Sequence, residues 1–172
     1  MNTIENEKPM LGEFVPGDFE IPTKFETDKF RLRMLSVDDV EKDYEAVIES
    51  RELLIKMFGG PWPREGFTLE ENLVDLERHQ QEFLDRKSFA YTVVSLDESK
   101  VLGCIYINPP QKYSNNPEFV EYWKRTGTDA VVNMWVRQSE YEKGMDKILF
   151  IIVRDWINTE WPFKRPTYPG RD

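Results

Sequence analysis

Two side chains in this sequence have the chemistry of possible catalysts, a histidine and a cysteine. His79 is the only histidine, and an imidazole with an ordinary pKa of about 6.5 can act as a general base at neutral pH. It lies in a stretch with helical periodicity, where a lone histidine is typical of a solvated boundary position, and we favour that interpretation. Cys104 is the only cysteine, and no histidine or asparagine beside it in the sequence would activate a thiolate. We therefore expect Cys104 to be a buried structural residue.

Other catalytic signatures are missing from the sequence. One histidine excludes a histidine-rich metal site, and the 32 acidic residues show no Asp-x-Asp loop spacing of the kind that binds calcium. There is also no Gly-x-Ser-x-Gly elbow, Walker loop or dinucleotide fingerprint. A cluster of Asp38, Asp39, Glu41 and Asp43 lies at a predicted helix start, where the helix dipole accounts for it. We predict no metal site.

The charge balance limits the expected partners. The 172 residues include 23 Lys and Arg against 32 Asp and Glu, which gives a net charge of −9. Nucleic acids and anionic membranes bind clustered positive charge, so we expect neither as a partner, whereas a cationic or amine-bearing ligand would suit this surface. No apolar run approaches the roughly 20 residues of a membrane span. The polar N-terminus and the single cysteine favour a cytoplasmic protein.

The first half of the sequence alternates between irregular and periodic stretches. Residues 1–29 are interrupted by glycines and prolines, which predicts an extended arm before a single domain over 30–172. Four side chains are candidates to attach this arm to the domain: Phe14, Phe19, Ile21 and Phe25. A strand is predicted from Phe30, then a helix from Ser36 to about Ser50. The expected buried face of that helix consists of Val37, Val40, Tyr44, Val47 and Ile48.

Turn residues then divide the chain into further elements. A short helix is predicted over 51–58, and the glycines and prolines of 58–63 must break it. Thr68 and Glu71 form a capping box that opens a helix to about Asp85. Residues 89–96 and 101–108 are β-branched and aromatic runs that predict a hairpin.

The second half contains a polar insert over 109–128, with a short helix at 117–125, and a strand over 130–137. The run from Met145 to Ile157 is apolar on nearly all sides, so we expect a deeply buried helix. The remaining residues are rich in proline and should be extended or turn. This order predicts an α+β or α/β domain with a mostly antiparallel sheet.

Two stretches resemble the GCN5-related N-acetyltransferase superfamily, especially its members that modify ribosomal-protein N-termini. FETDKFRLRMLSVDDVEKDYEAV, which begins at Phe25, resembles the opening strand and helix of that superfamily. AVVNMWVRQSEYEKGMDKILFIIVRDWI, which begins at Ala130, resembles its fourth strand, acyl-CoA loop and third helix. The resemblance implies an α+β fold with a mixed, mostly antiparallel sheet and helices on both faces. It also implies acetyl-CoA as a substrate and a small-molecule or peptide amine as acceptor.

The resemblance further implies which residues contact acyl-CoA. Trp135, Val136 and Arg137 would align the thioester, and Lys143, Gly144 and Met145 would lie against the phosphates. Backbone N–H groups at such a helix start can hold a diphosphate. Catalytic residues remain unassigned.

This sequence departs from the superfamily pattern at several positions. The acyl-CoA loop retains Gly144 but has Tyr141 in place of Arg or Gln and Asp146 in place of Gly or Ala. Glu140, Glu142 and Asp146 place carboxylates where the diphosphate would lie. Val131 occupies the position at which many members have a glutamate general base.

The sequence stops soon after the third helix, which predicts a curtailed C-terminal half, completed by the N-terminal arm or by a second copy in a homodimer. Two functions remain open, namely acyl-CoA-dependent acetyl transfer to an amine and a non-catalytic binding module of the same fold.

Aromatic residues allow two interpretations. The Gly59–Pro63 loop could form an apolar wall for an acceptor or close the core, and closure is favoured. Four other aromatic side chains could line a pantetheine or peptide groove, or could pack the insert onto the sheet, and packing is favoured. They are Tyr113, Tyr122, Trp123 and Trp135.

Overall fold

A six-stranded sheet organises residues 13–171, which are the residues that the computed structural model describes. Its strands, in spatial and chain order, are β1 (Lys24–Glu26), β2 (Arg31–Met34), β3 (Phe89–Val94), β4 (Val101–Asn108), β5 (Ala130–Val136) and β6 (Pro166–Thr167). The first five strands pair antiparallel, and β6 joins β5 in parallel. The prediction of an α+β fold with a mixed, mostly antiparallel sheet is confirmed.

Of the six α-helices in residues 13–171, five begin and end close to the predicted residues, whereas the short fifth one was not predicted. They are α1 (Val40–Glu49), α2 (Arg51–Phe58), α3 (Leu69–Leu84), α4 (Pro117–Thr126), α5 (Gln138–Glu142) and α6 (Met145–Glu160). The capping box is present, because Thr68 accepts from the amide of Glu71 and the Glu71 carboxylate accepts from the amide of Thr68. Gly59 ends α2 in the left-handed conformation, with φ of 67°. Over residues 13–171, no helix is long and apolar enough to cross a membrane.

Alternating residues of the central strands bury into two apolar clusters, one on each face of the sheet. Ile105 and Met134 belong to the cluster beneath α6. Their neighbours Cys104 and Trp135 belong to the cluster beneath α1 and α3. This alternation follows from the two-residue period of a strand. It confirms the prediction of helices on both faces.

Two burial predictions are wrong. Helix α6 buries Leu149, Val153 and Trp156, but Ile151 on its other side is 57% exposed because the sheet covers only one side of the helix. In α1 the face toward the sheet contains Asp43, Ala46 and Val47. Ile48 lies off this face and is 41% exposed.

The N-terminal arm packs against the cluster beneath α6. Residues 1–12 of the predicted arm lie outside the described residues. The four aromatic and aliphatic anchors, Phe14, Phe19, Ile21 and Phe25, contact this cluster as predicted. Phe14 stacks on Phe163 with ring centroids 5.0 Å apart, and Phe19 lies 5.4 Å from Trp161. The arm thus covers the segment that follows α6, and it also contributes β1.

Candidate functional site

A cleft opens beside β5, where β6 ends. The register pairs only Ala130 and Val131 of β5 with β6. The space has a volume of about 560 Å³, and we call it the β5 cleft. Its lining includes Asn133 and Met134 of β5, Tyr141 and Asp146 near the start of α6, and Gly170 and Arg171.

The start of α6 lies at one end of the β5 cleft. Gly144 precedes the helix with φ of 80°, in the left-handed region, and no atom lies within 4 Å of the position that a Cβ would take. No side chain caps the first amides of α6. Unpaired amides at a helix start can hold an anion. Lys143, beside Gly144, is exposed and pairs with Glu140 at 3.3 Å.

The strand residues predicted to align the thioester are buried, whereas the predicted loop residues are exposed or half-buried. Trp135 and Val136 are both 0% exposed, so their side chains are not accessible to a ligand. The Arg137 guanidinium donates to Glu49 at 2.8 Å and to Glu45 at 2.9 Å, which ties the end of β5 to α1. Of the predicted loop residues, Met145 is half-buried and packs against the cluster beneath α6. Acyl-CoA contact by any of these residues stays a prediction.

Arg171 is a cleft residue that the sequence analysis did not identify. Its guanidinium donates to both Asp146 carboxylate oxygens, at 2.8 Å each, and to the Met134 carbonyl oxygen at 3.1 Å. The ion pair compensates one of the carboxylates that the sequence brings to the loop. The two partners are 25 residues apart, so no local pattern indicated the pair.

A second space lies between α1, α3 and β4. It has a volume of about 390 Å³, and we call it the α1–α3 cavity. Its apolar lining comes from Leu35, Val47, Phe58, Trp62 and Leu76. Trp62, in the Gly59–Pro63 loop, packs on the core, as the favoured interpretation has it, and it also lines this cavity. A wall for an acceptor stays a prediction.

His79 lies in the wall of the α1–α3 cavity. Its ring centroid is 5.1 Å from that of Tyr106, and burial lowers the pKa of His79 to about 4. His79 thus lies at a boundary position, as expected, but it is half-buried and less solvated than expected, because this flank of α3 lies over β4. The imidazole is neutral at neutral pH and a weak base.

Asp43 is a buried carboxylate in the same cavity. It is 3% exposed, and it accepts from the Asn72 amide at 2.9 Å and from the Cys104 thiol at 3.6 Å. Burial raises the pKa of Asp43 to about 6, and the neighbouring Asp39 and Asp75 side chains raise it as well. Cys104 is buried as predicted, and burial raises the pKa of its thiol.

The helix-dipole interpretation of the acidic cluster missed the role of Asp43. The sequence signal that could have indicated its burial was the position of Asp43 on the same helical face as Val47. Over residues 13–171, no group of three or more His, Cys, Asp or Glu residues is arranged to hold a metal.

Tyr113 lies where the two spaces meet. Phe58, Tyr113 and Asn133 line both the β5 cleft and the α1–α3 cavity. The Tyr113 oxygen accepts from the side-chain amides of Asn108, at 3.1 Å, and Asn133, at 3.0 Å. Both bonds use the oxygen as acceptor, so the hydroxyl proton can be donated to a ligand.

The other aromatic residues considered for a groove pack within the fold. Tyr122 and Trp123 lie 6.0 Å and 5.7 Å from the ring of Phe119 in the insert. Trp135 donates to the Tyr106 hydroxyl at 3.0 Å. Packing, the favoured interpretation, is confirmed for Trp135, which is fully buried. For Tyr122 and Trp123, whose ring contacts lie within the insert, packing onto the sheet stays a prediction.

Replacing Asp43 with asparagine should stabilise the protein increasingly as pH rises. The folded pKa is raised from 3.8 to about 6, so the wild-type carboxyl contributes stability at low pH that is lost as pH rises through this window. The amide of the variant cannot ionise, so its stability relative to the wild type should be about 2 kcal/mol greater above pH 6 than at pH 4. Urea denaturation of both proteins across this range measures the difference.

Comparison with the wild type is necessary because His79 has the opposite effect. Its folded pKa is lowered from 6.5 to about 4, so its contribution is lost as pH falls. Both proteins share this effect, which cancels in the difference. A stability difference independent of pH would contradict the assignment to Asp43.

No family model and no curated protein matches this sequence. Among solved structures, 16 chains match. The ribosomal-protein-S5-alanine acetyltransferase from Vibrio fischeri has a TM-score of 0.60 at 17% identity, over 88% of this chain and 77% of that one. The microcin C7 self-immunity acetyltransferase MccE, in complex with acetyl-CoA and AMP, has a TM-score of 0.61 at 14% identity, over 86% and 73%.

A third similar structure is the ribosomal L7/L12 alpha-N-protein acetyltransferase RimL in complex with coenzyme A. Its TM-score is 0.57 at 13% identity, over 86% of this chain and 72% of that one. At these identities the likeness establishes a shared fold.

Proposed function

We propose that this chain, which has the fold of the GCN5-related N-acetyltransferases, binds an acyl-CoA and transfers the acyl group to an amine. The observation that carries this proposal is the meeting of two spaces at Tyr113 and Asn133, beside β5. The β5 cleft would admit the acyl-CoA donor, and the α1–α3 cavity would admit the acceptor amine. Two of the similar structures contain acetyl-CoA and coenzyme A, which supports the choice of donor.

The β5 cleft has features that suit the donor. The left-handed Gly144 and the uncapped start of α6 offer backbone amides to a diphosphate. The backbone of β5 beyond Val131, which β6 does not pair, can hydrogen-bond the amide groups of the pantetheine arm, except at the Met134 carbonyl oxygen, which Arg171 occupies. The ion pair between Arg171 and Asp146 reduces the repulsion that a diphosphate would meet there.

The transfer requires one bond to form and one to break. The neutral amine nitrogen attacks the thioester carbonyl carbon, the C–N bond forms, and the C–S bond breaks as the electron pair moves to sulfur. Tyr113 would donate its hydroxyl proton to that sulfur and regain a proton from the amine. Burial raises the pKa of Tyr113, which keeps this proton in place at neutral pH.

Replacing Tyr113 with phenylalanine should lower kcat about 100-fold, within the range usual for the loss of a general acid. The dissociation constant for acetyl-CoA should change less than about threefold, because the ring remains. Coenzyme A release in the presence of primary amines measures the first and calorimetry the second. Tyr122→Phe, in the insert, is the matched control, and an unchanged kcat in Tyr113→Phe would exclude the proton-donor role.

A non-catalytic binding protein is the second candidate. The observation that favours it is the position of Arg171, which binds the Met134 carbonyl oxygen and so occupies part of the β5 cleft. Val131, in the position of the superfamily glutamate, also provides no base. In this alternative, the segment that contains Arg171 occupies the β5 cleft, and no acyl-CoA binds there.

Calorimetric titration with acetyl-CoA, and separately with coenzyme A, distinguishes the two candidates. Micromolar binding supports the transferase. No binding at millimolar ligand, in the wild type and in Arg171→Ala, contradicts it and favours the binding module. Binding only in Arg171→Ala would also favour the second candidate, because the segment would then exclude the donor.

A further inference from the structure

We propose that the α1–α3 cavity recognises an acceptor with two amino groups, an α,ω-diamine, with one ammonium group on Asp43 and the other nitrogen beside Tyr113. The diamine site is a property of the cavity. That the nitrogen beside Tyr113 is the one acylated rests on the proposed function.

The first argument is the incomplete pairing of Asp43. A buried carboxylate is normally paired with a cation or saturated with hydrogen bonds, because removing an isolated charge from water is costly. The two carboxylate oxygens can accept about four hydrogen bonds. Asp43 accepts one from Asn72 and a long one from the Cys104 thiol. A ligand ammonium group has three donors and the charge that this carboxylate lacks.

The second argument is the charge of the remaining lining. Arg78 and Lys112 also line the cavity, but each is paired with Glu82, at 3.6 Å and 2.7 Å. His79 is neutral at neutral pH, since burial lowers its pKa to about 4. Arg78 is also paired with Asp75, at 3.8 Å, so two carboxylates compensate the two cations, and Asp43 is the remaining charge that attracts a cationic ligand.

The third argument is the spacing along β4 and β5 of the strand positions that the two polar ends contact. In the register of β4 and β5, Cys104 lies opposite Trp135 and Tyr106 lies opposite Asn133. Asp43 contacts Cys104, and Tyr113 contacts Asn133. Two residues along a strand separate these levels by about 7 Å. An extended chain of four or five methylenes spans that distance between two nitrogens.

The fourth argument is the apolar surface between the two ends. Val47, Phe58 and Leu76 line the cavity, and methylene groups gain free energy when such a surface covers them. The Tyr113 oxygen already accepts two hydrogen bonds, so the acceptor for the second nitrogen beside it is the side-chain oxygen of Asn133, which also lines the cavity. A cavity with a carboxylate at one end, an amide oxygen at the other and an apolar middle matches a diamine better than an amine with a polar body.

The test is calorimetric titration of the protein, without acyl-CoA, with 1,4-diaminobutane at neutral pH. Butylamine has the same apolar body and one ammonium group, and 1,4-butanediol has none. We expect 1,4-diaminobutane to bind at least about tenfold more tightly than butylamine, and the diol not to bind. Asp43→Asn should weaken diamine binding by at least about tenfold.

The matched control is Asp75→Asn, which removes the same charge from the lining of the same cavity. It should weaken diamine binding less than about threefold. Asp43→Asn is expected to fold, because it removes a buried charge. Equal affinities for butylamine and 1,4-diaminobutane, equal losses in the two variants, or no diamine binding would each overturn the inference.

The test is separate from that of the proposed function. Diamine binding by a protein that does not bind acetyl-CoA would support the diamine site and contradict acyl transfer. Acetyl-CoA binding without diamine binding would overturn the diamine site alone.

Discussion

Gly144→Asp should abolish acetyl-CoA binding while the protein stays folded. If the start of α6 holds the diphosphate, the new carboxylate would lie close to two negative charges. A like-charge pair about 4 Å apart costs between about 1 and 4 kcal/mol near a protein surface. Even at the lower limit, two such pairs would weaken binding about 30-fold. Calorimetric titration with acetyl-CoA measures this loss.

Gly144→Asn is the matched control because asparagine has the shape of aspartate without the charge. At φ of 80° both replacements strain the backbone, although Asn and Asp tolerate this region better than most residues. No atom lies within 4 Å of the new Cβ, so neither should unfold the protein. Each should cost about 1 kcal/mol of stability.

The pair of variants separates charge from backbone geometry. Retained binding in Gly144→Asn and lost binding in Gly144→Asp would place the diphosphate at this loop. Unchanged binding in Gly144→Asp would contradict that placement. An equal loss in both variants would assign the effect to the backbone and contradict the charge argument.

Gly103→Ala should destabilise the fold more than any other small substitution considered for this chain. A Cβ at Gly103 would lie 2.0 Å from the Trp135 carbonyl oxygen of β5. This neighbour is backbone in the centre of the sheet, so it cannot rotate away as a side chain would. We expect a loss of about 3 kcal/mol or more in the free energy of unfolding, measured by urea denaturation.

Gly60→Ala is the control for this substitution. Gly60 lies in the loop after α2, where no atom is within 4 Å of a Cβ and φ is not positive. The free energy of unfolding of the Gly60→Ala variant should differ from that of the wild type by less than about 0.5 kcal/mol. Equal denaturation midpoints for the two variants would contradict the close approach of β4 and β5. If Gly103→Ala folds normally, the position of Trp135, and with it the edge of the β5 cleft, must also be reconsidered.

The secondary structure was largely predictable because its signals are local. The Thr68–Glu71 capping box lies within one helical turn, and Gly59 ends α2 by its own conformational freedom. The hairpin of β3 and β4 follows from two β-rich runs and a short loop. Periodicity was less informative about burial, since an apolar pattern around α6 could not show that the sheet covers only one side. Ile151 is exposed for that reason.

The sequence by itself determined the element order, the acidic surface, the buried Cys104 and the resemblance that predicted the fold. Only the tertiary structure decided which polar groups meet. Asp43 with Asn72, Arg171 with Asp146, and Tyr113 with Asn133 each join residues at least 20 positions apart. Such pairs have no local signature, because they form when strands and helices that are distant in the chain pack together. The candidate site consists of these pairs, and packing placed it where the β5 cleft meets the α1–α3 cavity.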